Sequence, residues 1–266
     1  VDREELIDAG PIAQQVSDYF LGNPDYANLP RKYKICITGC RSLCPHPEIH
    51  CVAFVGCENR TSATGGNGKA EVGFDLRVGG GLSTQAFFGK RLNAFVKPEQ
   101  VVEVLAKITD IYRDAPEYRE KRHHARLKYV IHDWGVEKFR QALEERLGWE
   151  LEGAPADYQD PPDRYRDHVG VHAQKQPGYY YVGAPVLVGR ITSQQMDKVA
   201  DLSERYADPN AKTSGTPIRL TNRQNILLLN IPEEHVEKVL AGLAETGLSI
   251  NAHAIRRSAV TCTGTE

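Results

Sequence analysis

The sequence predicts an α+β protein of two regions joined by a polar linker. Short runs rich in β-branched and aromatic residues, such as KICITG and CVAFVG, are typical of buried strands. Helical spacing follows Pro98, where apolar side chains occur at i, i+3, i+4, i+7 and i+11 from Val101. Between the two regions, residues 151–177 are rich in proline and polar residues, which is typical of a linker.

Composition excludes several classes of function. The chain has 266 residues, of which 33 are Lys or Arg and 35 are Asp or Glu, so its net charge gives no sign of general nucleic-acid binding. No apolar run approaches the roughly 20 residues of a membrane helix, and the opening VDREELIDAG lacks the apolar core of a signal peptide. We therefore predict a cytoplasmic protein with neither a nucleic-acid partner nor a membrane partner. Because the sequence lacks an initiator Met, we also expect a fragment of a longer protein.

In the first region, residues 1–150, strands precede helices. The strands are KICITG, CVAFVG and the start of VGFDLRVGGGLS, which leads into a glycine turn. These glycines suit a tight turn or the close approach of a cofactor, since no nucleotide-binding pattern opens a helix there. The helices are predicted to begin at Pro98, to run from about Tyr118 to His132, and to run from Val136 to Leu147.

The second region alternates strands and helices. YYYVGAPVLVGR predicts a strand, and Thr192 and Gln195 match a capping box that begins a helix extending to about Tyr206. PIRLTNRQNILLLNI then predicts a strand or a strand pair. A last helix begins at Pro232 and is stopped by Gly247. This alternation indicates helices packed on one face of a sheet.

Most of the cysteines lie close together. Cys36, Cys40, Cys44, Cys51 and Cys57 give the spacing C-x3-C-x3-C-x6-C-x5-C, which matches neither a zinc ribbon nor a bacterial ferredoxin. In a reducing compartment such a cluster favours metal or redox chemistry over disulfides. Cys36 and Cys51 fall within predicted strands and are expected in the core. Cys40 and Cys44 flank a turn and remain candidate ligands, so an independent zinc site stays open as an alternative.

The segment LPRKYK, directly before the first strand, is a second candidate site. Lys32 and Lys34 are two positions apart, so in a strand their side chains emerge on one face, with Arg31 and Tyr33 on the other. Lysines that protect an exposed edge strand are one explanation. The other is an anion pocket, in which paired cations hold a small oxyanion and donate protons as its oxygens leave as water.

These motifs resemble a known family. LPRKYK, the turn PEIH, the strand CVAFVG, GFDLRVGGGLS and ARLKYVIHDWGVEKFR resemble the sirohaem and iron–sulfur domain of the nitrite and sulfite reductases. GAPVLVGRITSQQMDKVADLSERYA and the stretch from IRLTNRQN to AETGL resemble the ferredoxin-like half-domain of that family. The resemblance implies a sirohaem/iron–sulfur domain over 1–150, a linker over 151–177, the half-domain over 178–255 and the start of a second sirohaem domain over 256–266.

The resemblance also implies cofactors and site residues. Lys32 and Lys34 match the family's anion-binding lysines, which hold nitrite or sulfite above the haem iron and help to supply protons. Cys262 matches the first of the thiolates that hold a [4Fe–4S] cluster, and the others would follow the end of this sequence. GCRSLC places Cys40 and Cys44 at pseudo-symmetric positions, which we interpret as relics of duplication, with cluster ligation as the alternative.

Other cationic motifs have two interpretations each. Arg219, Arg223 and Asn225 in IRLTNRQN match a family motif that contacts the carboxylates of sirohaem, but pairing of the arginines with local acidic groups explains them equally well. Arg126 and Lys128 in KRHHARLK could pair with sirohaem or belong to a solvated helix face.

The predicted function is that of a fragment of an assimilatory nitrite or sulfite reductase, inactive alone. The family passes electrons from ferredoxin or a similar donor, through a [4Fe–4S] cluster and sirohaem, to nitrite to form ammonia or to sulfite to form sulfide. The K-x-K motif favours sulfite, because many plant-type nitrite reductases have Asn at the second position. The alternative function is non-enzymatic: a truncated homologue that acts as a binding or assembly module.

Overall fold

Two β-sheets organise the chain in a computed structural model. The larger unit is Glu5–Tyr165, and the smaller unit combines Val1–Glu4 with Arg166–Glu266. Each unit has its own sheet and its own apolar core, which confirms the α+β class. The structure describes residues 1–59, 70–155, 158–160, 166–211, 213 and 215–262.

The strands of the larger unit are β1 (Ile35–Thr38), β2 (Val52–Asn59), β3 (Glu71–Val78), β4 (Lys90–Val96) and β5 (Glu152–Gly153). They form one sheet in the order β1-β2-β3-β4-β5. β1 lies parallel to β2, with Ile35 opposite Val52, and the remaining neighbours are antiparallel. Nearly every residue of β2 is buried, because this strand lies between two others and is covered on both faces. This explains why CVAFVG is continuously apolar, and it confirms the predicted strand.

The helices described in the larger unit are α1 (Ala9–Phe20), α2 (Val101–Arg113), α3 (Pro116–Glu120), α4 (Leu127–Trp134) and α5 (Val136–Leu147). The apolar stripe predicted after Pro98 is confirmed, since all its members are buried along α2. α5 has the predicted bounds. The sequence analysis missed α1, of which only Ile12 and Val16 are buried, so its apolar stripe is narrow.

The continuous helix predicted from Tyr118 to His132 is wrong. The segment breaks after α3 into a short 3-10 turn, Arg122–His124, and α4 begins only at Leu127. The hydroxyl of the buried Tyr112 donates to the carbonyl of Ala125 at the break, at 2.6 Å. A tertiary contact therefore interrupts a segment whose local sequence favours a helix.

The smaller unit has the strands β6 (Gly170–Ala173), β7 (Tyr179–Ala184), β8 (Ile218–Leu220) and β9 (Ile226–Pro232), and the helices α6 (Ser193–Tyr206), α7 (Val236–Glu245) and α8 (Ala254–Ser258). The strands are antiparallel in the order β6-β7-β9-β8. The predicted capping box is confirmed: Thr192 Oγ1 accepts from the Gln195 amide at 3.2 Å, and Gln195 Oε1 accepts from the Thr192 amide at 3.0 Å. IRLTNRQNILLLNI forms a strand pair, one of the two predicted possibilities.

The predicted domain boundaries stay a prediction, but two observations bear on the linker. The range 151–177 contains β5, which pairs with β4, and β6, which pairs with β7. Val1–Glu4 belongs with the smaller unit because Asp2 bridges to Gln174 and its carboxylate accepts from the Tyr181 hydroxyl at 2.5 Å. Across the described residues, no helix is long and apolar enough to cross a membrane.

Candidate functional site

A cavity of about 520 Å³ in the larger unit collects cationic side chains. No Asp or Glu is among the described residues that line it. Positive groups gathered without a counter-charge repel each other, and a bound anion relieves that repulsion. The cavity is lined by Arg31, Lys32, Lys34, Ile49, Leu82, Ser83, Thr84, His123, Arg126, Lys128 and Tyr129.

Lys32 and Lys34, the predicted anion-binding residues, reach this cavity together from the segment just before β1. Both side chains are exposed, and both line the same cavity. The Val52 amide donates to the Lys34 carbonyl at 3.2 Å, which joins the backbone of this segment to the start of β2. Arg31 lines the cavity as well, so its predicted placement on the opposite face is wrong. The reason is that residues 31–34 lie outside the strand and do not alternate strictly.

Arg126 reaches the cavity from the break before α4. Its Nη1 donates to the Leu82 carbonyl at 3.1 Å, and its Nη2 lies 3.7 Å from the sulfur of the buried Cys51. Gly81 leaves the space for this guanidinium, because a Cβ at that position would lie 2.6 Å from Nη2. The Nε atom of Arg126 is buried and has no hydrogen-bond partner among the described residues. An acidic ligand group in the cavity would give this nitrogen a partner.

Lys128 is the most deeply placed cation of the cavity. Its side chain is almost fully buried, and its ammonium donates to the carbonyls of Leu82, at 3.1 Å, and Gln85. Burial lowers the pKa of Lys128, and the positive charge of Arg126 lowers it further. A lysine that holds its proton less tightly than an exposed one is suited to release it to a bound substrate.

The sequence analysis left Arg126 and Lys128 undecided, and the structure brings both to the cavity of Lys32 and Lys34. It missed His123, whose ring meets that of His124 edge-on at 4.8 Å. The sequence feature that could have indicated His123 is the pair of histidines inside the cationic run KRHHARLK. No periodicity shows that this run approaches LPRKYK, because the approach depends on the break before α4.

The clustered cysteines do not form a metal site among the described residues. Cys36, Cys51 and Cys57 are buried, as expected for the first two. Burial raises the pKa of Cys36 and Cys57 to about 12. Cys40 and Cys44 are half-buried on the turn that follows β1. Within the described ranges no group of three or more His, Cys, Asp or Glu could hold a metal ion, which leaves the zinc alternative without a site.

The motif IRLTNRQN has a structural role through Asn225 in the smaller unit. This side chain is fully buried, accepts from the Val186 amide at 2.9 Å and donates to the Arg257 carbonyl at 3.3 Å. Arg219 and Arg223 are half-buried in the same motif. Their proposed contact with sirohaem stays a prediction.

The larger unit is thus an α+β unit that gathers cations around one cavity, with no acidic residue among the described residues that line it. Residues 1–151 match the family described as "Nitrite and sulphite reductase 4Fe-4S domain", and residues 172–246 match "Nitrite/Sulfite reductase ferredoxin-like half domain". The chain belongs to the nitrite and sulphite reductase family, as the motifs predicted. Its fold is the 4Fe-4S domain of that family followed by the ferredoxin-like half-domain.

Relatives of both substrate types are similar to this chain. It is 36% identical to "Sulfite reductase [ferredoxin] 1" of Mycolicibacterium paratuberculosis over 264 residues, which is 99% of the chain and 44% of that protein. It is 34% identical to the chloroplastic "Ferredoxin--nitrite reductase" of Zea mays, covering 100% of the chain and 45% of that protein. The solved structure of the Mycobacterium tuberculosis NirA protein aligns with a TM-score of 0.82 and 36% identity, over 98% of the chain and 44% of NirA. The chain thus spans less than half the length of these relatives.

The family carries sirohaem and a [4Fe–4S] cluster, and the described residues fit only the first. Sirohaem is a polycarboxylate, which suits a cationic cavity with the unpartnered Nε of Arg126 in its wall. A [4Fe–4S] cluster needs four cysteine thiolates, and the described residues hold no set of potential ligands large enough. Cys262 is exposed near the end of the described range, and its role as a cluster ligand stays a prediction.

Proposed function

We propose that the cavity of the larger unit is the anion-binding part of a sirohaem-dependent sulfite or nitrite reductase that takes electrons from ferredoxin or a similar donor. The observation that carries this proposal is the convergence of Lys32, Lys34, Arg126 and Lys128 on one cavity that no described acidic residue lines. Family membership gives the reaction class, and the relatives named sulfite reductase and nitrite reductase give the two candidate substrates. We propose sulfite as the preferred anion, on the K-x-K motif, and the cytoplasm as the compartment.

Arg126 and Lys128 are the residues that would hold the carboxylates of sirohaem. Arg126 can bind a carboxylate through its planar fork, and the carbonyl of Leu82 fixes the orientation of that fork. When bound, sirohaem supplies the electron chemistry. The carbonyls that accept from Lys128 hold its ammonium against the loop beyond β3.

Lys32 and Lys34 bind the oxyanion and supply protons. Their exposed ammonium groups attract sulfite or nitrite and neutralise its charge on binding. Each oxygen that leaves the substrate as water takes up two protons, so the reaction needs positioned acids as well as positive charge. Ammonium groups meet both needs, since each carries several N–H donors and is re-protonated from solvent at an exposed site.

The direct test is to produce the full-length protein with synthesis of sirohaem and of the iron–sulfur cluster intact. We expect sirohaem absorption bands in the purified protein and, with reduced ferredoxin, turnover of sulfite and of nitrite. The ratio of the two kcat/KM values identifies the preferred anion. A protein with neither sirohaem bands nor turnover of either anion would contradict the proposal and favour the non-enzymatic alternative.

Gly81→Ala is expected to weaken binding of sirohaem with little effect on stability. The added methyl group would lie 2.6 Å from Arg126 Nη2, and the flexible guanidinium must move aside. Losing part of one charge-assisted contact of Arg126 should raise the dissociation constant of sirohaem roughly threefold to tenfold. Isothermal titration calorimetry measures that constant. Gly153→Ala is the matched control, because nothing lies within 4 Å of its added Cβ, and an equal loss of affinity there would contradict the prediction.

A further inference from the structure

We propose that Tyr112 is a positioning residue for anion binding: its hydroxyl joins the segment that carries Lys32 and Lys34 to the segment that carries Arg126 and Lys128. This inference rests on the proposed function of the cavity. Tyr112 does not line the cavity itself, so it acts through the two cation-bearing segments.

The hydroxyl of Tyr112 makes one hydrogen bond to each segment. It accepts from the Arg31 amide at 3.0 Å and donates to the Ala125 carbonyl at 2.6 Å. Arg31 directly precedes Lys32, and Ala125 directly precedes Arg126. A phenol can donate only one hydrogen bond at a time. The Ala125 carbonyl, at the shorter distance, accepts it, and the Arg31 carbonyl at 3.2 Å is the weaker acceptor.

The Tyr112 ring is itself held rigidly. It is fully buried in α2, where the apolar stripe of that helix packs into the core. The ring of Tyr33 stacks on it with a centroid separation of 5.4 Å and an interplanar angle of 16°. Burial raises the pKa of Tyr112 to about 12, so the hydroxyl keeps the proton that it donates. A rigid helix therefore presents one fixed oxygen to two loops.

A second hydrogen bond joins the same two segments nearer the surface. The Arg31 guanidinium donates from Nη1 to the Arg122 carbonyl at 2.6 Å, and Arg122 is next to His123 in the cavity wall. Arg31 is therefore held at two points. Tyr112 binds its backbone from the core, and the Arg122 carbonyl in the 3-10 turn binds its side chain.

Electrostatics explains why such a connection is needed. Every described residue of Asp, Glu, Lys or Arg type that the two segments bring to the cavity is a cation, and these cations repel each other when no anion is bound. Repulsion across a partly buried cavity is weakly screened, even at physiological salt where the Debye length is about 8 Å. Hydrogen bonds that hold both loops against this repulsion keep the lysines that we assign to the oxyanion beside the residues that we assign to sirohaem.

Tyr112→Phe removes one oxygen and tests the connection on the full-length, sirohaem-loaded protein. We expect KM for sulfite and nitrite to rise about threefold to tenfold, the equivalent of one buried hydrogen bond. We expect kcat to stay within about twofold, because the loss affects ground-state and transition-state binding alike. Hydrogen exchange should quicken at the Arg31 amide, which loses its acceptor, and calorimetry should show the same loss of sulfite affinity as KM.

Tyr118→Phe is the matched control. Tyr118 is also a buried tyrosine of the larger unit, but its hydroxyl donates to the carboxylate of Asp133, near the end of α4, at 2.9 Å and does not join the two cation-bearing segments to each other. A similar rise in KM in Tyr118→Phe would overturn the inference, and so would faster exchange at Arg31 with unchanged KM and affinity in Tyr112→Phe. If the wild type is active and Tyr112→Phe has the same KM and the same sulfite affinity, only this inference is refuted. A wild type that turns over neither anion refutes the proposed function and this inference together.

A thermal unfolding curve shows whether Tyr112→Phe is folded. If it is not, Arg31→Lys tests the other contact at an exposed position, since it keeps the positive charge and removes the guanidinium that bonds the Arg122 carbonyl. A rise in KM with unchanged kcat supports the connection between the two segments. Wild-type KM in Arg31→Lys overturns it.

Discussion

Replacing Lys32 and Lys34 together by glutamate is expected to lower kcat/KM for sulfite and nitrite by about 100-fold or more, because each hydrogen bond to a charged partner contributes roughly 1.5–3 kcal/mol. Both side chains line the cationic cavity, so charge reversal replaces attraction for an anion with repulsion. The free energy of unfolding should change little, since both side chains are exposed. Steady-state kinetics on the full-length, sirohaem-loaded protein measures the first effect, and urea unfolding measures the second.

The matched control for this charge reversal is Lys138→Glu. Lys138 is exposed on α5, lies over the ring of Trp134 and does not line the cavity. We expect it to leave kcat/KM almost unchanged. Sirohaem absorbance should also be little affected in the double variant, because Arg126 and Lys128 are the residues that we assign to that cofactor. Normal turnover in the double variant would show that Lys32 and Lys34 do not bind the substrate.

Replacing Arg77 by methionine is expected to lower the free energy of unfolding by about 3–5 kcal/mol, the usual effect of breaking a buried ion pair. Arg77 is 5% exposed and contacts two carboxylates, Asp75 at 3.2 Å and Asp160 at 2.5 Å. Asp75 is fully buried, and Arg91, at 2.8 Å, would remain as its cationic partner. Removing Arg77 therefore leaves buried negative charge only partly compensated. Urea unfolding measures the loss.

The pH dependence of this variant has a definite sign. Burial raises the pKa of Asp75, and Arg91 and Arg77 partly oppose that rise, so losing Arg77 raises the pKa further. A carboxyl group with a raised pKa in the folded state costs stability as the pH rises through that pKa and it ionises. The stability difference between the wild type and Arg77→Met should thus be largest at neutral pH. It should shrink as the pH falls toward 3.8, the ordinary value for Asp.

A surface ion pair provides the control for the buried one. Arg146 Nη1 lies 2.9 Å from Asp114, and both side chains are 39% exposed. Arg146→Met should lower the free energy of unfolding by no more than about 1 kcal/mol, because solvent screens the pair and the Asp114 carboxylate stays hydrated and keeps Arg113 at 2.7 Å. If Arg146→Met and Arg77→Met lower the free energy of unfolding equally, burial does not decide how much stability an ion pair contributes.

Local sequence was sufficient for the elements with strong periodicity. α2 and α5 follow their apolar stripes, and α6 begins at the capping box of Thr192 and Gln195. β2 follows from a continuous apolar run because a strand covered on both faces needs no polar residues. β4 and α1 were missed: α1 buries few side chains, and β4 mixes exposed with buried positions without regular alternation.

The sequence identified two of the four main cationic residues of the candidate site. Lys32 and Lys34 stand out because they are two residues apart, and the resemblance gave them a role. Arg126 and Lys128 look like part of a solvated helix face, because the sequence favours one continuous helix across that stretch. In the structure this helix is broken, and Lys128 is buried.

Short-range patterns in the sequence were enough to predict the family, the α+β class, the paired lysines and the burial of Cys36 and Cys51. The shared cavity of the lysines and the run containing Arg126 depends on how the chain folds. The physical reason is that a contact 13 residues away in sequence, from the Tyr112 hydroxyl to the Ala125 carbonyl, lies at the break in the helix that local propensity favours. Long-range hydrogen bonds of this kind leave no periodic signal, so the cationic cavity appears only when the chain is folded.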